Sequence, residues 1–268
     1  MSSAHFVPFF HVLQNKNRMK RYIKNLFEKK LGIKIFRNTL PRGCDLFHDI
    51  NRWYGINNFQ VVFDVGANIG QSAIQYFSRF PSAEIYSFEP VSSTFEKLKR
   101  NTENLSNRVR LVNSAMGSSR GKKEININSD SRVNSIKHNV STTKEWIVID
   151  TVDSFMENKA IEIVDFVKID TEGYELEVIS GAKNALMEER IGMLFIESEP
   201  ISTDRSFTAF ADLQEAMNSY GYKLFGIYEQ QMHWSGEKDI LFFNPVFVSQ
   251  KMSEQDVSPN AYPLRVTA

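Results

Sequence analysis

The stretch VVFDVGANIG at residues 61–70 decides the fold class of this chain. Its first five residues form a short, mostly apolar run, which is typical of a parallel strand with both faces buried. Gly66 permits a tight turn, Asn68 tolerates a left-handed backbone, and Gly70 allows a helix to begin beside a ligand. The stretch therefore predicts a strand, a glycine turn and a helix whose N-terminus suits an anionic group.

Strands and helices alternate along most of the chain. The predicted strands are 61–65, 84–88, 109–114, 163–169, 193–196, 223–228 and 239–243. Residues 116–145 are polar and break the rhythm, so they predict an inserted edge hairpin with a loop. Repeated strand–helix–strand units imply a doubly wound α/β sheet, which binds ligands at the carboxyl ends of its parallel strands.

The composition excludes several classes of protein. The 268 residues are 42% hydrophobic and 24% charged, an ordinary globular composition that excludes wholesale disorder. The single cysteine, Cys44, excludes an internal disulfide and a multi-cysteine metal site, and it predicts a reducing, cytoplasmic location. No run reaches the roughly 18 apolar residues of a membrane span. The apolar patch at 6–10 lacks a preceding basic region, so a secretory signal is not expected.

Charge is distributed unevenly along the chain. Residues 1–60 hold 11 Lys and Arg against 3 Asp and Glu, whereas the remainder holds 21 against 29. Most of this positive charge lies in 16–37, where apolar residues recur with helical spacing. Two interpretations stay open: a helix packed on the main domain, or a peripheral contact with anionic membrane lipid or a lipid-linked substrate. Nucleic acid is not expected as a partner, because the rest of the chain is acidic.

An acidic residue follows the second predicted strand. Glu89 stands before Pro90, 19 residues past Gly70, where a carboxylate can accept hydrogen bonds from two ribose hydroxyls. Together with the glycine turn it favours a nucleoside ligand. The chain lacks the Gly-x-Gly-x-x-Gly and Gly-Lys-Ser/Thr patterns, which argues against a dinucleotide fingerprint and a P-loop.

Five stretches together resemble one known family. VVFDVGANIGQ, IYSFEP, VNSAMG, VDFVKIDTEGYELEVISGA and DILFF occur in the order and spacing of FkbM-type methyltransferases, over about residues 60–245. The resemblance implies a class I methyltransferase fold, which is Rossmann-like and doubly wound with a mostly parallel seven-stranded sheet, here with an N-terminal helical extension. It also implies S-adenosylmethionine as the cofactor and O-methylation of a hydroxyl on a sugar, glycan or polyketide-like natural product.

The resemblance assigns site residues and domains. It places the methionine end of the donor at Asp64, Gly66, Asn68 and Gly70, the ribose at Glu89 and Pro90, and the adenine at Ser114, Ala115 and Met116. Position 171 is Thr171, where the family pattern leads us to expect an aliphatic residue. The expected organisation is a basic helical extension at 1–59, an S-adenosylmethionine-binding domain at 60–248 and an irregular tail at 249–268.

Three carboxylates are the candidate catalytic residues. Asp170 follows the fourth strand and is our first choice to contact or deprotonate the acceptor, with Glu172 and Glu197 as second choices. Glu172 could instead cap the next helix, and Glu197 could pair with Lys168. The cluster could also bind a divalent cation such as magnesium, and the sequence does not decide between a metal and a bare base, so we assign no metal ligand. His233 is an alternative base.

Other functions stay open as alternatives. A nucleic-acid adenine methyltransferase would be expected to carry Asn/Asp-Pro-Pro-Tyr/Phe where this chain has Asp170-Thr171-Glu172-Gly173. A nicotinamide-dependent oxidoreductase would be expected to carry the missing Gly-x-Gly-x-x-Gly. The last alternative is a nucleoside-binding domain without catalysis. The sequence does not predict the oligomeric state.

Overall fold

The computed structural model describes residues 9–32, 40–127, 143–201, 208–233 and 238–254. The chain divides into two compact units, Met1–Pro41 and Arg42–Ala268. Within the described residues, the first unit contains helix α1 (Phe9–Lys30) and the second contains the sheets. The predicted boundaries at 59/60 and 248/249 stay predictions.

The strands and helices of the second unit alternate as the sequence predicts. The strands are β1 (Val61–Val65), β2 (Glu84–Phe88), β3 (Val109–Val112), β4 (Ala115–Met116), β5 (Gly121–Ile127), β6 (Thr143–Asp150), β7 (Val164–Ile169), β8 (Ile191–Ile196), β9 (Lys223–Met232) and β10 (Ile240–Val248). The helices are α2 (Leu46–Tyr54), α3 (Gln71–Arg79), α4 (Ser92–Asn101), α5 (Val152–Asn158), α6 (Glu175–Ser180), α7 (Lys183–Met187), α8 (Phe210–Ser219) and α9 (Gln250–Ser253). Two short 3-10 helices lie at Ile56–Asn58 and Glu103–Leu105.

Seven strands form the main sheet, in the order β3-β2-β1-β7-β8-β10-β9. The first five strands in this order pair in parallel, and β10 is antiparallel to both of its neighbours. The predicted doubly wound, mostly parallel sheet of seven strands is therefore confirmed. The strand order reverses between β1 and β7, and this switch point is where such sheets open a crevice for ligands.

The inserted hairpin forms a sheet of its own instead of an edge of the main sheet. β5 and β6 pair antiparallel, and β4 pairs in parallel with β6. Three isoleucines explain the arrangement, because Ile125, Ile147 and Ile149 pack on Val91 and Ala115 in a separate apolar cluster. Residues 128–142, which connect the two strands, lie outside the described part of the chain.

Both faces of the main sheet are buried, as continuous apolar strands predict. Neighbouring residues of one strand belong to opposite faces: Phe63 packs in the cluster that contains Val167, whereas Val62 packs in the cluster that contains Phe166. α2 contributes Leu46, Phe47 and Ile50 to the second cluster. The sheet is thus fixed from both sides, which leaves the carboxyl ends of its strands as a rigid base for a site.

Helix α1 carries an exposed apolar stripe. Met19, Tyr22, Ile23, Leu26 and Phe27 are all exposed large hydrophobic residues. No helix in the described part of the chain combines the length and the apolar character that crossing a bilayer requires. These apolar residues recur with the helical spacing that the sequence predicts, so α1 is an amphipathic helix.

The first residues of the predicted irregular tail are helical. Ser249 caps α9 by accepting a hydrogen bond from the backbone N–H of Met252 at 3.1 Å. The side chain of Met252 is buried against Gly192 and its surroundings in the second core cluster. Residues 255–268 lie outside the described part of the chain.

Candidate active site

A cavity of about 1140 Å³ opens at the carboxyl ends of β1, β2 and β7. Pockets for one small ligand occupy roughly 300–1,000 Å³, so this cavity has room for two reactants. The predicted site residues that line it are Gly66, Asn68, Glu89, Pro90, Ser114, Ala115, Met116, Asp170, Glu172 and Glu197. Asp64 and Gly70 are not among the lining residues.

The turn between β1 and α3 needs its two glycines for different reasons. Gly66 has a φ of 82°, and a Cβ there would overlap the backbone carbonyl oxygen of Asp170. Gly70 has a φ of 100°, and a Cβ there would lie 2.9 Å from Cδ1 of Leu98, so this glycine lets α3 pack on α4. Asn68 has a φ of 48°, which confirms the left-handed backbone predicted for it.

Glu89 connects the glycine turn to the end of β2. Its Oε2 accepts a hydrogen bond from the backbone N–H of Asn68 at 3.1 Å, and its Oε1 accepts one from Val91 at 2.9 Å. The side chain is only 6% exposed, and this burial raises the pKa of Glu89 to about 7, against the lowering effect of the two hydrogen bonds and of Lys168. Glu89 thus lines the cavity as a carboxylate already held by two backbone donors.

Lys168, considered from the sequence only as a possible partner of Glu197, lines the cavity. Its Nζ lies 3.0 Å from Oδ2 of Asp170 and 3.7 Å from Oδ1 of Asp64, and it donates a hydrogen bond to the carbonyl oxygen of Gly66 at 3.2 Å. Burial alone would lower the pKa of Lys168, but Asp170 and Asp64 raise it above its usual value. The signal in the sequence was a lysine inside the mostly apolar run at 163–169.

Asp64 lies beneath the cavity wall, fully buried. Its Oδ2 accepts hydrogen bonds from Ser72 Oγ at 2.8 Å and from Ser87 Oγ at 3.4 Å. Burial raises the pKa of Asp64, while Lys168 and the two serines lower it. Asp64 therefore does not contact the cavity itself. It positions Ser72 and Lys168, which both line the cavity.

The three candidate catalytic carboxylates come together. One oxygen of each of Asp170, Glu172 and Glu197 lies within 4.8 Å of the others. Glu172 has a φ of 54°, a backbone conformation that non-glycine residues seldom adopt. Burial, followed by the neighbouring Asp170 and Glu172, raises the pKa of Glu197 well above its usual value. Glu197 therefore keeps its proton to higher pH than an ordinary glutamate, and its side chain is hydrogen-bonded to Asp170.

Glu175 is a buried carboxylate next to the site that was not predicted from the sequence. Its Oε1 accepts hydrogen bonds from the backbone N–H groups of Thr171 and Gly173 and from Thr171 Oγ1, at 3.0, 3.1 and 2.9 Å. Its Oε2 accepts one from Thr208 Oγ1. These contacts hold the loop before α6, while the N-cap residue of the helix, Tyr174, makes no side-chain capping hydrogen bond. Thr171, the departure from the family pattern, supplies two of these contacts, one from its backbone N–H and one from its hydroxyl.

The remaining predicted positions follow β2 and β3. Ser114 and Met116, only 6% and 1% exposed, line the cavity together with Ala115 and Pro90. No histidine of the described ranges is among the lining residues. His233 instead lies with its Nε2 3.7 Å from Oδ2 of Asp239, which leaves the carboxylates as the candidate bases.

The chain is similar to two curated methyltransferases. Hexuronic acid methyltransferase AglP of Haloferax volcanii is 33% identical over 128 residues, which cover 47% of this chain and 51% of AglP. 2-O-methyltransferase NoeI of Sinorhizobium fredii is 24% identical, over 48% of this chain and 60% of NoeI. The chain thus spans 51% and 60% of the lengths of these relatives.

A solved structure and a family model give two further similarities. M. capricolum TrmK in complex with S-adenosyl-homocysteine is 12% identical, with a TM-score of 0.43, over 72% of this chain and 64% of that one. The model of the methyltransferase FkbM domain matches residues 64–224, more than half of the chain. This match includes the glycine turn, Glu89 and the loop from Asp170 to Glu175, and the chain therefore belongs to the FkbM methyltransferase family.

Proposed function

We propose that the protein is an S-adenosylmethionine-dependent O-methyltransferase that acts on a hydroxyl of a sugar, glycan or polyketide-like product. The observation that carries this proposal is one cavity lined both by the glycine turn with Glu89 and by the acidic cluster of Asp170, Glu172 and Glu197. The family and the printed names of AglP and NoeI support it, because one names a hexuronic acid and the other names 2-O-methylation.

The donor occupies the side of the cavity that β1, β2 and β3 form. The turn at Gly66 and Asn68 holds the methionine end, with Asp64 acting through Ser72 and Lys168, and with Gly70 allowing α3 to begin there. Glu89 accepts hydrogen bonds from the ribose hydroxyls, since its carboxylate lines the cavity. Pro90 lies beside Glu89 in the cavity lining, and the segment Ser114, Ala115 and Met116 borders the adenine.

The acceptor hydroxyl lies next to Asp170. In the reaction the hydroxyl oxygen forms a bond to the methyl carbon while the bond from that carbon to sulfur breaks, and the hydroxyl proton passes to the Asp170 carboxylate. Alignment of the two reactants in one cavity can supply about 7–11 kcal/mol of the barrier. A positioned base adds roughly 10²–10⁴-fold.

Lys168 and Glu197 are positioning residues for Asp170. The Lys168 ammonium, 3.0 Å from Oδ2 of Asp170, fixes the direction of the carboxylate and offsets its charge. Glu197 is hydrogen-bonded to Asp170, and one oxygen of Glu172 lies within 4.8 Å of an oxygen of each. A carboxylate held in this way presents one oxygen to the acceptor without rotating.

We propose that the acidic cluster works without a metal. Its three oxygens have the spacing of a divalent-cation site, but the Lys168 ammonium already neutralises Asp170 at 3.0 Å. Burial and the neighbouring Asp170 and Glu172 raise the pKa of Glu197, so this group also ionises less readily than an ordinary glutamate. Activity should therefore be unchanged by EDTA or by added magnesium. Loss of activity on chelation, with recovery on adding magnesium, would contradict this part of the proposal.

The rival activities have less support from the site. A nucleic-acid methyltransferase is disfavoured because the described residues that line the cavity include five acidic side chains, Glu89, Asp170, Glu172, Glu197 and Glu229, and only one basic side chain, Lys168, a lining poorly suited to a phosphate backbone. A nicotinamide-dependent oxidoreductase is disfavoured because the turn after β1 lacks the glycine pattern that admits a pyrophosphate.

We further propose a cytoplasmic enzyme whose basic extension contacts anionic lipid. The exposed thiol of Cys44 suits a reducing compartment. The exposed apolar stripe of α1 lies in a segment, 16–37, that carries nine basic residues and only Glu28 as an acid. Such helices lie in the membrane interface and bring an enzyme to lipid-linked substrates.

A product assay tests the proposed function. The purified chain is incubated with S-adenosylmethionine and a panel of sugars, oligosaccharides and glycolipids, and mass spectrometry detects the gain of one methyl group. The Asp170→Asn variant should bind S-adenosylhomocysteine as the wild type does and form product roughly 10²–10⁴-fold more slowly. Absence of product on every hydroxyl acceptor, or methylation of nucleic acid instead, would overturn the proposal.

A further inference from the structure

Strand β9 contains an irregularity at the cavity wall. Glu229 has a φ of 48°, a left-handed conformation inside a strand of the antiparallel β9–β10 pair. The register of this pair shifts between Phe242, which faces Gln231, and Asn244, which faces Tyr228. Two residues of β9 therefore stand opposite one residue of β10, which is the geometry of a β-bulge. Bulges of this kind re-aim a side chain and occur often beside active sites.

The bulge aims Glu229 at the cavity and a buried amide fixes it there. Oε2 of Glu229 accepts a hydrogen bond from Nδ2 of Asn244 at 2.9 Å, and Asn244 is buried on β10. Glu229 itself is exposed and is one of the residues that line the cavity. A strained backbone and a buried partner thus hold a carboxylate that no step of the proposed reaction uses.

Glu229 stands close to the reacting end of the cavity. It lines the same cavity as Lys168 and as Asp170, which carries the proposed catalytic carboxylate. The half-buried ring of Phe242, on the neighbouring strand, lines the same cavity. A carboxylate that accepts hydrogen bonds from hydroxyls, next to an aromatic ring on which the apolar face of a pyranose can stack, is a combination that suits a saccharide.

The charges of the cavity restrict which saccharide fits. Among the described lining residues, five carboxyl groups stand against the single ammonium of Lys168. That surplus suits the cationic sulfonium of the donor, but like charges at short range in a partly desolvated site repel each other. A sugar that bears its own carboxylate would meet Glu229 at the acceptor end, whereas a sugar with only hydroxyls would donate hydrogen bonds to it.

We propose that Glu229, held in place by Asn244, and Phe242 form the acceptor subsite, and that this subsite selects an uncharged saccharide and disfavours uronic acids. The inference rests on the proposed function and narrows its substrate class. It separates this chain from its relative AglP, whose name specifies a hexuronic acid. Glu229 is a specificity-determining residue in this account, and the chemistry of methyl transfer stays with Asp170.

The test compares matched sugars and matched variants. Methyl glycosides of glucose, galactose and mannose are assayed beside the corresponding methyl glycosiduronates, with wild type, Glu229→Gln and Glu215→Gln. Glu229→Gln keeps an oxygen that accepts from Asn244 but removes the charge. Glu215→Gln removes the same charge from an exposed position on α8 outside the cavity.

Wild type should methylate at least one neutral glycoside with a kcat/KM about tenfold above that of its uronate, as expected when a charged partner opposes the ligand. Glu229→Gln should raise the KM for the neutral sugar about tenfold, the effect of weakening a hydrogen bond to a charged acceptor. The same substitution should reduce the ratio of kcat/KM for the neutral sugar to kcat/KM for its uronate. It should leave kcat and the affinity for S-adenosylhomocysteine unchanged. Glu215→Gln should behave as wild type.

Three results would overturn the inference: a wild-type preference for the uronates, an unchanged preference in Glu229→Gln, or no methylation of any neutral glycoside. Methylation of a uronate, or of another hydroxyl acceptor in the wider panel, would leave the proposed O-methyltransferase function standing while this inference falls. Failure to bind S-adenosylhomocysteine would instead remove the proposed function itself.

Discussion

At the scale of single residues, Asp64 and Lys168 balance charge beneath the cavity. Asp64 is fully buried, and Lys168 is its ion-pair partner at 3.7 Å. Because a buried charge left without its partner costs about 3–5 kcal/mol, Lys168→Met should lower the free energy of unfolding by about that amount in urea denaturation. Lys183→Met, at an exposed position on α7, should have little effect.

A second substitution checks this explanation. Adding Asp64→Asn to Lys168→Met removes the uncompensated charge, so the double variant should regain part of the lost stability. If the two substitutions simply add, the stability loss of Lys168→Met does not come from the Asp64 charge.

Glu89 should give the free protein an unusual pH dependence of stability. Its pKa is about 7 in the fold against an ordinary 4.5, so the folded state holds the proton more tightly than the unfolded state. The stabilisation from this group is complete below pH 4.5 and is lost as the pH rises through 7. Glu89→Gln, which carries no charge at any pH, should match wild type near the acid end and exceed its stability at higher pH by up to about 3 kcal/mol.

Thermal unfolding without ligand measures this effect, with wild type and Glu89→Gln followed across the same pH series. The difference between the two proteins is the relevant quantity, because the other titrating groups cancel in it. A difference that stays constant with pH would contradict the raised pKa of Glu89.

At the scale of structural elements, the β1–α3 turn depends on the absence of a side chain at Gly66. Gly66 and Gly221 have nearly the same φ, 82° and 81°, but a Cβ at Gly66 would overlap the carbonyl oxygen of Asp170, whereas Gly221 has open space around it. Gly221→Ala should therefore cost only the backbone strain, about 1–2 kcal/mol. Gly66→Ala should cost a further 1–3 kcal/mol, roughly, from the overlap, and should abolish donor binding.

Urea denaturation and titration with S-adenosylhomocysteine measure the two consequences separately. Equal stability losses in Gly66→Ala and Gly221→Ala would show that only the left-handed backbone matters. The close approach of β1 and β7 would then have no part in forming the site.

The sequence predicts the elements better than it predicts the contacts between them. The apolar runs and the glycine turn predicted the main sheet, and the strand-end positions of Asp170, Glu172 and Glu197 predicted their cluster, because parallel strands bring their carboxyl ends together. Those inferences need only local pattern and topology.

Contacts that depend on the register of paired strands could not be predicted from the sequence pattern. Lys168 reaches Asp64 only because β1 and β7 pair with these residues side by side. Glu229 enters the cavity wall only because a bulge shifts the register of β9. The inserted hairpin forms its own sheet because three isoleucines find a separate cluster, and pattern alone does not distinguish that from a sheet edge.

At the scale of the whole molecule, the basic helix α1 predicts a lipid interaction. Wild type should sediment with vesicles of phosphatidylcholine and phosphatidylserine, less with pure phosphatidylcholine, and less again at high salt, because screening weakens attraction to anionic lipid. Leu26→Asp with Phe27→Asp should reduce binding, since both side chains belong to the exposed stripe. Ile201→Asp, at a 75% exposed site outside α1, is the control. Equal sedimentation of all three proteins would contradict a role for α1.

Titration calorimetry tests the central claim, that the cavity beside Glu89 binds an adenosine-bearing sulfur ligand. The full chain is titrated in parallel with S-adenosylhomocysteine and with NAD, and Glu89→Gln is titrated with the first. We expect one S-adenosylhomocysteine to bind per chain and NAD not to bind. The affinity of Glu89→Gln for S-adenosylhomocysteine should be about tenfold lower than that of wild type, as expected when a charged hydrogen-bond acceptor is lost. Binding of NAD without S-adenosylhomocysteine, or an unchanged affinity in Glu89→Gln, would contradict it.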